Sequence, residues 1–161
     1  MNLVPLSTLF SVTYGVNLEL NKMVLDTEGI PFVGRSDRNN GVTAKVAPVH
    51  DTPPNPAGTL SVAGGGSVLA TFLQVEPYYS GRDLFFLSPL VSMTDSEKLY
   101  YCACIRSNRY RYSYGRQANK TLKELLIPDF KNIPPWVNGG ISRVVSDYSK
   151  RLQGIDKKID A

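Results

Sequence analysis

Few residues in this chain are of a type and spacing that could do covalent chemistry. His50 is the only histidine among 161 residues; it could pair with Asp51 as a base, or sit as an ordinary surface residue of a proline-rich loop. Cys102 and Cys104 lie two apart with no partner ligands elsewhere in the sequence, which argues against zinc. Gly64-Gly-Gly66 is followed by Ser67-Val68 rather than the Gly-Lys-Ser/Thr of a nucleotide-hydrolysing phosphate loop, so it reads as a glycine turn or as close backbone approach to a phosphate. Asn132-Ile-Pro-Pro-Trp136 departs from the Asn-Pro-Pro-aromatic loop that holds a flipped base, because Ile133 is inserted. Pro128-Asp129 lacks the further carboxylate and lysine that a metal-dependent nuclease needs. The positive signal is electrostatic. Between Arg106 and Lys123 stand Arg106, Arg109, Arg111, Arg116, Lys120 and Lys123 with no acid among them, while the whole chain carries only +4. A local basic stripe on a nearly neutral body suits phosphate binding, since each neutralised phosphate releases condensed counterions.

Elements must position these residues. Pro5 to Phe10 suits a short helical turn running into a β-prone Ser11–Tyr14. Strands are expected at Ile30–Val33, Gly41–Val46, Thr59–Ala63, Ser67–Val75 and Asp83–Leu87, each β-branched or aromatic and punctuated by Gly, Pro or Asn. Thr94-Asp-Ser-Glu97 fits a capping box, so a helix should start there, pack its apolar face on the sheet and end near Asn108. Arg109 to Tyr114 alternates long polar or small residues with tyrosines, the period of a strand with two unlike faces: Tyr110, Tyr112 and Tyr114 on one, Arg109, Arg111 and Ser113 on the other. A last strand is expected at Leu125–Ile127. Beyond Pro134-Pro135, Ile141, Val144, Val145, Tyr148, Leu152, Ile155 and Ile159 recur at helical spacing. The fold class is therefore α/β (α+β): a strand-rich body with a few short helices and a C-terminal amphipathic helix. Three parts are expected: a domain over 1–130, a Pro/Gly linker over 131–140 and an amphipathic helical segment over 141–161.

With 42% hydrophobic and 20% charged residues, the chain is neither disordered nor membrane-spanning, because no apolar run approaches about 20 residues. The first residues carry no cationic segment before a long apolar stretch, so a secretory signal is not expected and the cytoplasm is the expected compartment.

Three stretches together resemble a known family: GIPFVGRSDRNNGV (Gly29 to Val42), GTLSVAGGGSVLATFLQ (Gly58 to Gln74) and RYRYSYGRQANKTLKELLIP (Arg109 to Pro128). In this order, over roughly residues 3 to 130, they resemble the target-recognition domain of DNA specificity subunits from type I, and the related type IIB and IIG, restriction–modification systems. The resemblance implies an α/β (α+β) module on a curved, largely antiparallel sheet, acting as a non-catalytic reader of double-stranded DNA without a cofactor and working with a methyltransferase subunit. It implies a half-subunit too, because type I subunits usually carry two such domains separated by long helices. The face of Ile141, Val145, Tyr148, Leu152 and Ile155 would then form a homodimer or dock on the methyltransferase. A stand-alone or phage decoy that binds restriction subunits, and a detached portion of a fused methyltransferase–nuclease, are the alternatives.

Sequence readout in the major groove needs paired donors or acceptors such as Arg, Asn and Gln. The candidate DNA contacts are Arg35, Ser36, Arg38, Asn39 and Asn40 in one polar loop, Arg82 beside Tyr78 and Tyr79, and Arg109, Arg111, Arg116 and Gln117 in another segment. Lys120, Lys123 and the backbone around Gly65 and Ser67 suit phosphates, which set register without specifying sequence. Asn39-Asn-Gly41 is equally a turn sequence, in which Asn40 would be structural.

Overall fold

The computed structural model describes residues 1–112 and 117–159. In chain order its elements are β1 (Leu3–Pro5), α1 (Leu6–Leu9), β2 (Phe10–Tyr14), β3 (Leu25–Val33), β4 (Val42–Val46), β5 (Thr59–Ala63), β6 (Thr71–Gln74), β7 (Tyr79–Ser80), β8 (Leu84–Pro89), α2 (Asp95–Ser107), β9 (Leu126–Pro128) and α3 (Val137–Ile159). The strands form three sheets. The largest runs β2-β8-β5-β6 and is antiparallel throughout. A second runs β4-β3-β7, with β3 and β4 antiparallel and β3 and β7 parallel. The third pairs β1 with β9 antiparallel, Leu3 opposite Pro128.

The main core joins the largest sheet, the β1–β9 pair and the helices α1 and α2, while Phe32, Val46 and Tyr79 form a separate cluster within the β4-β3-β7 sheet. Leu60 and Val62 of β5, Leu87 of β8, Tyr101 and Ile105 of α2 and Leu6 of α1 are all fully buried in the main core. The helix α2 starts where its capping box requires: Thr94 Oγ1 accepts the Glu97 amide at 3.2 Å, and Glu97 Oε2 accepts the Thr94 amide at 2.8 Å. Phe10 meets the Tyr101 ring edge-on at 5.4 Å, fixing α2 across the largest sheet.

The expected strand over Arg109–Tyr114 is not formed in its described part. Asn108–Arg111 continues α2 as a 3-10 turn instead. The Asn108 side chain donates to Cys104 O at 3.0 Å and Leu126 O at 3.4 Å, holding the chain in the helical hand where a strand would have to leave it. Tyr110 is consequently 76% exposed, and the Tyr112 hydroxyl lies 2.9 Å from Thr121 Oγ1. Ser113 and Tyr114 lie outside the described residues.

The last helix, α3, begins at Val137, within the stretch expected as linker. Its first turn is anchored. Val137 is buried, Thr94 Oγ1 donates to Asn138 Oδ1 at 3.1 Å, and Trp136 stacks edge-on against Tyr100 at 6.3 Å. From Ile141 onward its apolar residues stand open: Val145, Tyr148, Leu152 and Ile155 are each more than half exposed. Ile141, Val145, Tyr148, Leu152, Ile155 and Ile159 follow one another at alternating steps of four and three, the spacing of a two-helix seam.

Candidate nucleic-acid interface

Five segments converge at one pole of the largest sheet. The antiparallel order places the ends of β2 and β5 beside the start of β8, and the β3–β4 loop and the C-terminal end of α2 arrive at the same place. The polar loop and the glycine turn are tied by backbone, since the Ser67 amide donates to Arg35 O at 3.1 Å. Gly66 has φ +63°, and a Cβ there would lie 2.8 Å from Arg35 Cβ. The end of α2 is tied to both, because Arg109 Nε donates to Val68 O at 2.9 Å and its Nη1 to Asp37 Oδ2 at 3.3 Å.

At the centre sits Asp83. It is held at φ 59°, a left-handed conformation unusual for an aspartate and tolerated where surroundings impose it. Its amide donates to the Tyr14 hydroxyl at 2.8 Å, and its carbonyl accepts the Gly64 amide at 2.7 Å. Its carboxylate, 13% exposed, takes Arg35 Nη1 at 3.2 Å on Oδ2 and Asn119 Nδ2 at 3.0 Å on Oδ1, with Arg82 Nε 3.5 Å from Oδ2. Asn119 Nδ2 also donates to Gln117 Oε1 at 3.3 Å. Asn119 Oδ1 is buried without a hydrogen-bond partner among the described residues and rests on Gly64, where a side chain would otherwise project.

The candidate contacts thus divide. Arg35, Gly65, Arg82 and Gln117 are gathered around Asp83 and its partner Asn119, and Ser67 and Arg109 join the same pole through Arg35 O, Val68 O and Asp37. Ser36 and Arg38 are in the same loop, where Ser36 Oγ accepts the Arg38 amide at 3.1 Å and Arg38 is exposed. Arg111 is exposed and folds over its neighbour, its Nε donating to the Tyr110 hydroxyl at 3.1 Å. Lys120 and Lys123 are exposed. Arg116 lies outside the described residues.

Asn39 and Asn40 build the turn. Both have positive φ; Asn39 Nδ2 donates to Val42 O, and Asn40 Nδ2 spends itself on Leu73 O at 3.2 Å and Gln74 Oε1 at 3.4 Å. The amides of Gly64, Ser67 and Val68 are taken by the Asp83, Arg35 and Gly66 carbonyls, whereas those of Gly65 and Gly66 have no backbone acceptor among the described residues. Asp83 and Asn119 were not among the sequence candidates. A short Gly81-Arg-Asp83 turn before a strand was the only signal for Asp83, and Asn119 had none.

His50 and Asp51 pair at 3.1 Å on the open surface, 95% and 87% exposed. Among the described residues no three His, Cys, Asp or Glu side chains are grouped to hold a metal ion, and no helix is long and apolar enough to cross a membrane.

No protein-family model and no curated protein matches the sequence. Solved structures do match the fold. The type I restriction–modification S subunit from M. genitalium is 20% identical, with a TM-score of 0.64 over 97% of this chain and 41% of its own. The HsdS subunit from Thermoanaerobacter tengcongensis is 18% identical, with a TM-score of 0.60 over 96% of this chain and 38% of its own. A chain from a study of complex assembly and conformational transition in the type I R-M system is 16% identical, with a TM-score of 0.65 over 98% of this chain and 42% of its own. This chain therefore has the fold of S subunits and spans about two-fifths of their length.

Proposed function

We propose that this chain is a DNA-sequence reader, a single target-recognition unit that gives a restriction–modification system its specificity without catalytic groups of its own. Its natural partner is a DNA methyltransferase subunit. In this reading residues 1–130 read the duplex, 131–140 connect, and the open face of α3 within 141–161 pairs with a second copy or with that partner. The observation that carries the reading is the convergence of the Arg35 loop, the Arg82–Asp83 turn, Arg109 and Gln117 at one pole, on the fold of S subunits. Arginine forks there suit guanine O6 and N7, while Lys120 and Lys123 at the margin suit phosphates.

The test is selection of bound fragments from a randomised duplex library by the purified chain, at low and near-physiological salt. Enrichment of an asymmetric motif of a few base pairs is expected of a single reader, and a two-part palindrome of fixed spacing is expected if α3 pairs two copies. Binding without enrichment, or no binding at low salt, refutes sequence reading by this chain.

A further inference from the structure

We propose that Asp83 is a positioning residue for sequence recognition: it holds the Arg35 guanidinium by one nitrogen so that the opposite edge is presented, already oriented, to a base pair. The inference rests on the DNA-reading role above. Arginine at a protein surface is ordinarily free to sample many rotamers, and ordering it on binding costs free energy. Here that ordering is done in advance. Asp83 Oδ2 takes Nη1 of Arg35, and the Nε–Nη2 edge has no partner among the described residues. That edge is one of the two on which a guanidinium can make a paired contact to guanine O6 and N7.

Asp83 is itself held unusually firmly. Its amide, carbonyl and carboxylate reach Tyr14, Gly64, Asn119 and Arg35, four separate segments of the chain. Its left-handed backbone, φ 59°, is fixed by these contacts, unlike that of the exposed Asp51. The side chain is 13% exposed, whereas that of Arg35 is 32% exposed, so the acid lies behind and the arginine in front. An acid at a phosphate-facing surface opposes general affinity for DNA. Its presence is accounted for by what it does to the arginine.

This predicts opposite movements of two quantities. Asp83→Asn keeps the shape and suits the left-handed backbone, but removes the charge that grips Arg35. Its affinity for random duplex at low salt is expected to hold or rise slightly, with one opposing charge gone. Its preference at one base pair of the selected motif is expected to fall from the 5- to 150-fold order of a good bidentate contact to about threefold or less. Arg35→Lys, which retains charge but has no fork, should lose the same position, and the double variant should lose no more than either alone. In the free protein, nitrogen NMR of Arg35 should show distinct, slowly averaging Nη signals that collapse to one in Asp83→Asn.

An Asp83→Asn chain that selects the unchanged motif overturns the inference while leaving the DNA-reading role intact. A parallel loss of affinity for all duplexes assigns Asp83 to folding alone and also overturns it. If Asp83→Asn does not fold, the wild-type spectrum and Arg35→Lys decide: a freely rotating Arg35, or an unchanged motif in Arg35→Lys, refutes the proposal. A wild-type chain that enriches no motif removes the DNA reading and this inference with it, whereas the spectrum still reports whether Arg35 is gripped.

Discussion

An alanine at Gly64 would place a methyl group on Asn119 Oδ1 and within 2.9 Å of Phe85 Cε2. Asn119 must then swing out, giving up its 3.0 Å donation to the Asp83 carboxylate and its contact to Gln117. A hydrogen bond to a charged group is worth about 1.5–3 kcal/mol, and pressing on Phe85 adds up to roughly 1 kcal/mol of overpacking. Gly64→Ala should therefore cost about 2–3 kcal/mol, or roughly 5–10 °C in melting temperature for a chain of this size. Asn119→Ala alone should cost about 1–2 kcal/mol, because Asp83 keeps Arg35. The decisive measurement is the double variant by urea unfolding: the methyl then fills the space that Asn119 vacated, so its cost should exceed that of Asn119→Ala by no more than the roughly 1 kcal/mol of pressing on Phe85. Additive losses, near 4 kcal/mol, would refute the argument that Gly64 is glycine for the sake of Asn119.

Three further outcomes follow from the same structure. Lys120→Ala should weaken binding to every duplex alike and lower the salt slope by about 0.9, which titration at several salt concentrations reads; a sequence-selective loss would move Lys120 to base contact. If α3 pairs two copies, Leu152→Glu should abolish that pairing in sedimentation while leaving the unfolding midpoint in place, because Leu152 is 60% exposed. Burial pushes the Tyr78 phenol up to about 12 from 10.0 and the Cys102 thiol up to about 12 from 9.0. The unfolded chain releases these protons first, so this contribution to stability is whole below about pH 9 and is lost as the pH rises toward 12; a urea midpoint that climbs over that range would contradict it.

The legible parts of the fold are those where local chemistry and tertiary demand agree. The span of β5 was readable because Thr59 to Ala63 is a short β-branched run between turn residues, and the start of α2 because a capping box is complete within four residues. Arg109 to Tyr114 misled because alternation is also what a turn bearing exposed Arg and Tyr looks like; the Asn108 bonds that decide it come from Leu126 and Cys104. The two-residue strand β7 exists only through its parallel pairing with Phe32 and Val33, which no local pattern encodes. The basic and polar segments of the pole were visible as residue types. Their mutual arrangement was not, since it depends on Asp83, whose importance comes from contacts 19 to 69 positions away.

The pairing of β1 with β9 has a consequence for how the unit can be handled. Leu3 faces Pro128, and the Asp129 amide donates to Asn2 O at 3.0 Å, so the body that carries the pole closes on itself before α3 departs. Entry and exit share one short seam on the edge away from the Arg35 loop. Residues 3–128 are thus bracketed by one short seam, while the first turn of α3 stays tied to the same body through Val137, Asn138 and Trp136. Joining the ends of that seam and opening new ones at the exposed His50-Asp51 turn is expected to leave the pairing in place, which a thermal melt of the permuted chain checks.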